Sequence, residues 1–76
     1  MRALRIGVLG RIISGKEAGR VVEIVDDASQ TGGYVIFTYA DTERPPEVFD
    51  VWVPSIVDID LYFDDSGWEV DWINAP

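Results

Sequence analysis

The chain has 76 residues, 47% of them hydrophobic and 12% aromatic, and a formal net charge of −8. This composition predicts a single domain over residues 1–76, too apolar to be disordered, that hides about 60% of its unfolded surface on folding. Cysteine and histidine are both absent, which excludes disulfides, thiolate catalysis, cysteine-based zinc sites and the usual general base near neutral pH.

Residues 5–13 read as a first strand, interrupted by Gly7 and Gly10. Glycines inside a strand pattern mark a bend or bulge, as in a strongly curled sheet. Residues 14–19 are turn chemistry, and 20–25 form a second strand rich in β-branched residues. Its alternation sends Val22 and Ile24 inward. The polar loop at 26–33 ends in Thr31-Gly32-Gly33. Residues 34–39 form a third strand, with Tyr34, Ile36 and Thr38 on one side and Val35, Phe37 and Tyr39 on the other. Arg44-Pro45-Pro46 places an exposed loop over 41–47. Residues 48–53 form a fourth strand with Phe49, Val51 and Val53 on one face, leaving Asp50 and Trp52 on the other.

The period then changes. Ile56, Ile59 and Phe63 are spaced i, i+3, i+7, which predicts a short helix over 56–65. Ser55 can cap its start, with Asp58 three residues on, and Gly67 can stop it. Asp64 and Asp65 oppose the helix dipole at the far end, which predicts early fraying there. The competing reading extends the fourth strand through these β-branched residues. Trp68, Val70 and Trp72 alternate with Glu69 and Asp71, giving a last strand with an apolar inner and an acidic outer face. Residues 74–76 are a tail.

The string is therefore mainly β, in the order β-β-β-β-α-β. It fits a five-stranded antiparallel barrel resembling the Src-homology-3 type, or an open curled sheet with the helix packed across it.

The acids are unevenly placed. Residues 1–38 carry five cations and four carboxylates, whereas residues 39–76 carry Arg44 alone against ten carboxylates. Such a field repels nucleic acid and anionic lipid and attracts basic surfaces. No segment approaches the ~20 apolar residues of a membrane span, and no secretion signal is visible at the N-terminus. A cytoplasmic location is expected.

Catalysis is not expected. The serines at 14, 29, 55 and 66 have no histidine to activate them, and Gly32-Gly33 is followed by neither lysine nor helix, as a phosphate loop requires. A core this small leaves little room for a pocket of ~300 Å³. Asp58, Asp60, Asp64 and Asp65 fail the calcium-loop pattern. Neither metal nor cofactor is expected.

The run GRIISGKEAGRVVEI over residues 10–24 resembles a KOW-type strand–loop–strand. That motif implies contact with ribosomal RNA or the transcription machinery, but the anionic second half departs from it, so only the loop shape is carried over. The run 10–19, Thr31-Gly32-Gly33-Tyr34, Asp50-Val51-Trp52-Val53 and the ending FDDSGWEVDW over 63–72 are together similar to small acidic bacterial proteins. Those proteins are uncharacterised, and some of them are similar to immunity proteins of toxin systems or to proteins of mobile gene cassettes. The likeness implies a binding module and supplies no catalytic residue.

The expected function is non-enzymatic binding of a basic protein partner through carboxylates of residues 41–71, as an immunity-like or antitoxin-like inhibitor would bind. Tyr39 and Trp52 are the candidate apolar anchors, with Asp50, Glu69 and Asp71 around them. Trp52 has a structural alternative: it can cover a sheet edge or pack under the helix. Two other functions remain open. One is a homo-oligomer paired through an exposed strand edge. The other is a small-ligand module using the sheet cleft and the loop at 26–33.

Overall fold

The computed structural model describes residues 4–40 and 48–72. The expected exposed loop at 41–47 and tail at 74–76 lie outside the described residues, as do Asp41, Glu43 and Glu47. Five strands and one helix follow the expected order: β1 (Leu9–Ile12), β2 (Val21–Asp27), β3 (Gly33–Tyr39), β4 (Val48–Val53), α1 (Ile56–Ser66) and β5 (Val70–Trp72).

The strands form one antiparallel sheet in the spatial order β4-β3-β2-β1-β5. Consecutive strands pair from β1 to β4, and β5 returns to the far side of β1. This is the strand order of the small barrel anticipated above, with the sheet left open between β4 and β5. Among the described residues those two strands are the sheet borders.

Alternation assigned the faces correctly. Gly10 pairs with Val22 and Trp72, Ile24 with Ile36, Ile36 with Val51, and Tyr34 with Val53. Paired residues of an antiparallel ladder share a face. The inner face therefore carries Ile12, Val22, Ile24, Ile36 and Val53, all buried, and it packs on Ile59 and Phe63 of α1. Trp68 completes the core, and Trp72 borders it.

Several boundaries differ from the sequence reading: β2 runs on to Asp27, into the expected loop at 26–33, β3 starts at Gly33, and other ends shift by one residue. The first strand begins at Leu9 rather than residue 5, because Gly7 takes φ 78° and turns the chain. Ile6 makes only an isolated parallel bridge to Ile24. The last strand begins at Val70 rather than at residue 68, because Trp68 is held by the end of the helix.

That helix end does not fray as the dipole argument implied. Gly67 adopts φ 70°, its N–H donates to Asp64 C=O (3.1 Å), and Trp68 N–H donates to Phe63 C=O (3.0 Å). This is a Schellman cap, and its usual apolar contact is present: the Phe63 and Trp68 rings meet edge to face, centroids 5.2 Å apart. At the other end, the Ser55 hydroxyl accepts from Asp58 N–H (3.3 Å) and donates to the Asp58 carboxylate (2.6 Å). Backbone pairing at both ends outweighs two misplaced carboxylates, each worth only about 0.3–1 kcal/mol.

Candidate functional site

The five anchor and charge residues singled out by the sequence fall on the outer side of the sheet in two groups. The register builds a cross-strand row Val48–Tyr39–Val21–Arg11–Asp71. The next row is Asp50–Phe37–Glu23–Leu9, and a third holds Trp52, Val35 and Val25. Tyr39, Asp50 and Trp52 lie along the β3–β4 border in three successive rows, with Tyr39 and Trp52 separated by roughly 13 Å and Asp50 between them. Glu69 and Asp71 lie at the β5 border, three strands from Tyr39, or roughly 14 Å along a flat sheet.

The remaining described carboxylates divide further. Asp58, Asp60, Asp64 and Asp65 ride on α1, on the opposite side of the sheet, Asp26 and Asp27 end β2, and Glu17 sits in the β1–β2 loop paired with Arg20. The negative half of the sequence is thus spread over two sides of the molecule, and only part of it faces outward with Trp52. Among the described residues, no three acidic groups are placed to hold a metal ion.

Trp52 has a structural task. Its Nε1–H donates to the Thr31 hydroxyl (2.8 Å), which in turn donates to the Asp27 carboxylate (3.0 Å). The indole lies over Gly33, where a Cβ would come within 2.7 Å of two ring carbons. It therefore clamps the β2–β3 turn. Half of its surface nevertheless remains accessible (50%). The two readings of this residue coexist in one geometry.

A cleft of about 650 Å³ opens on the inner side, near the start of β4. The small core left no expectation of such a space. It arises outside the core, where the open border of the sheet, the end of α1 and the β1–β2 loop fail to meet. Phe49 and Val51 of β4 form one wall, and Tyr62 and Trp68 form another. Phe49 belongs to the inner face as expected, yet it is 53% exposed because it stands at the mouth of this cleft. The loop at 26–33 contributes nothing here: it lies at the opposite end of β2.

Arg20 anchors the cleft. It donates to Thr38 C=O (3.2 Å), pairs with Glu17 (3.2 Å), and places its guanidinium 5.2 Å from the Phe49 centroid. A cation over an aromatic face contributes on the order of 1 kcal/mol. No sequence spacing signals this contact, since Arg20 and Phe49 meet only through the strand pairing.

Ser14 fixes the β1–β2 loop against the helix end. Its hydroxyl donates to Gly67 C=O (2.8 Å) and accepts from Glu69 N–H (2.9 Å). Gly15 permits the approach, because a Cβ there would sit 2.8 Å from Ser66 C=O. Ser14→Ala is expected to cost about 1–2 kcal/mol and to speed amide exchange at Glu69. Unchanged exchange at that amide would show that the tether does not hold.

The described geometry offers an apolar, acid-bordered sheet face and an aromatic cleft, both suited to binding. Comparison with protein-family models, curated proteins and solved structures finds no match for the chain. The immunity-like and KOW-type resemblances therefore rest on the quoted residues alone. Among the described residues, no helix is long and apolar enough to cross a membrane.

Proposed function

We propose that this chain is a non-enzymatic protein-binding module, of the immunity or antitoxin type, that offers the outer face of its sheet to a basic protein. One observation carries the reading. The helix and the main core cluster pack on the inner side, while the outer side, where Val21 alone among the apolar strand residues is fully buried, displays Leu9, Val48 and Trp52 to solvent among Glu23, Asp50 and Asp71. Exposed apolar residues with a charged surround suit an interface. The carboxylates would steer a cationic partner and exclude acidic ones.

A photo-cross-linking residue placed at Glu23 tests this in the full chain and its native cell. The expected adduct is a basic protein. Its yield should fall at roughly 0.5 M salt, where screening shortens to a few Å, and should fall again when Asp50→Lys and Asp71→Lys are combined. Adducts indifferent to salt and to charge reversal would remove the proposal.

Self-association is the second reading, favoured by the open border at β4 with its exposed Val48 and Phe49. It would appear as a concentration-dependent mass in sedimentation that Asp71→Lys leaves unchanged.

A further inference from the structure

β4 borders the sheet, and the ladder dictates which of its backbone groups face outward. Ile12 N–H donates to Arg20 C=O (2.9 Å), and Ile24 C=O accepts from Gly7 N–H (2.8 Å). The even-numbered residues of β2 thus direct their backbone groups toward β1. Direction alternates along a strand, with N–H and C=O of one residue pointing the same way. Val21, Glu23 and Val25 therefore point at β3, and their partners Tyr39, Phe37 and Val35 point back. Tyr34, Ile36 and Thr38 are left to bond Val53, Val51 and Phe49. The N–H and C=O groups of Val48, Asp50 and Trp52 consequently face the open border.

Such a border is a template for another strand, and proteins ordinarily blunt it with lysine, proline or a covering loop. Within β4 the only charge is Asp50, and Val48, Phe49 and Trp52 are each about half exposed. The two sides of β4 differ in chemistry. On the outer side Asp50 stands next to the Trp52 indole. On the inner side lies the cleft walled by Phe49, Val51, Tyr62 and Trp68. Arg20 already occupies one face of Phe49, and Lys16, Glu17 and Asp65 line the cleft away from β4, so an apolar guest is received by the aromatic wall next to β4.

An added strand must present alternate side chains to these two sides. Its outer set meets a carboxylate and an indole, which suits a lysine or arginine whose stem lies on the ring. Its inner set meets the wall of Phe49, Val51, Tyr62 and Trp68, across which stand Lys16, Glu17 and Asp65. A second copy of this chain fits poorly. Antiparallel pairing of β4 with itself sets Asp50 opposite its own copy, Val48 or Trp52, never opposite a cation, and in every register joins two molecules of net charge −8 each.

We propose that β4 accepts an extended segment of a partner, alternating Lys or Arg with large apolar residues, as a sixth strand whose apolar side chain enters the cleft beside Phe49. The proposal rests on the protein-binding reading and deepens it, since it names the partner's local chemistry and its pairing.

The test uses the full chain and the blocked peptide Lys-Val-Lys-Phe-Lys-Val. The added strand is taken antiparallel to β4, as every pair in this sheet is; residues paired with Asp50 and Trp52 then share their face and exchange bonds with them, so the lysine amides point at β4 and the valine and phenylalanine amides away from it. Saturating peptide should slow amide exchange at Asp50 and Trp52 by about tenfold or more. N-methylation of the central lysine amide should abolish that protection, whereas N-methylation of the phenylalanine amide should leave it. Exchanging lysine for glutamate in the peptide should abolish binding to the native chain and restore it to Asp50→Lys.

Equal behaviour of the two methylated peptides overturns the proposal, as does the absence of any perturbation up to millimolar peptide. Protection that rises with protein concentration alone would assign the border to self-pairing and overturn it too. Shifts confined to Glu23 and Asp71, without protection of the border amides, would sink the sixth strand while leaving the outer-face reading intact. No shifts, together with no basic cross-linked adduct, would remove both.

Discussion

Phe63→Ala is expected to lower stability by about 3–5 kcal/mol, the usual cost of emptying a buried phenylalanine site. The side chain is almost wholly buried and joins three parts of the molecule. It holds α1 on the sheet, meets Trp68 edge to face at 5.2 Å, and stacks with Trp72 at 6.4 Å. Few residues remain to close the gap, because the fully buried side chains are few. A domain of this length has a total stability of roughly 4–11 kcal/mol, so the loss is a large part of the whole. Urea titration followed by tryptophan fluorescence measures it. Leu61→Ala on the exposed face of the same helix should stay within about 0.5 kcal/mol. Similar losses at the two positions would mean that α1 does not dock as described.

Gly33→Ala is the second large effect. The added methyl would collide with the Val53 carbonyl oxygen and come within 2.7 Å of Trp52 Cε2 and Cζ2. Neither neighbour yields easily. The carbonyl belongs to the β3–β4 ladder, where Tyr34 pairs with Val53, and the indole is pinned by its bond to Thr31. Overpacking of this kind costs about 1–3 kcal/mol. A 2 kcal/mol loss corresponds to a fall of about 8–16 °C in Tm for a domain this small. Trp52→Val in the same chain should recover part of the loss, since one of the two obstacles is gone. Strict additivity of the two substitutions would show that the indole and Gly33 do not share that space.

Much of the fold was legible because it is encoded in short periods. Alternation at Val22 and Ile24, and at Phe49, Val51 and Val53, reports which side of a pleated strand meets the core. Ser55 and Gly67 mark the helix by local backbone chemistry that needs no distant partner. The first strand was overextended because Gly7 was weighed as a bend within it, whereas its positive φ ends it.

The candidate site was legible only in part. Trp52 was placed outward beside Asp50 by alternation, but its position over Gly33 and its bond to Thr31 depend on register across two strands. The cleft left no trace in the sequence. It comes from the spacing of three elements around Phe49, and no residue type at any fixed interval signals it. Charge counting located the acids along the chain, but α1 packs on the inner face of the sheet while Asp50 lies on the outer one. Neighbours in sequence, such as Asp50 and Asp58, therefore stand on opposite sides of the sheet.

The seam between β1 and β5 governs how the molecule must be assembled. Gly10 pairs with Trp72 and Ile12 with Val70, so nearly all of the described chain lies between the partners. The hairpins from β1 to β4 can form as they emerge from the ribosome, but this seam must wait for the final strand. During that interval a growing chain carries two bare margins and an uncovered apolar layer. The risk of misassembly is therefore concentrated in the interval before β5 emerges, when a passing holdase would protect the chain most.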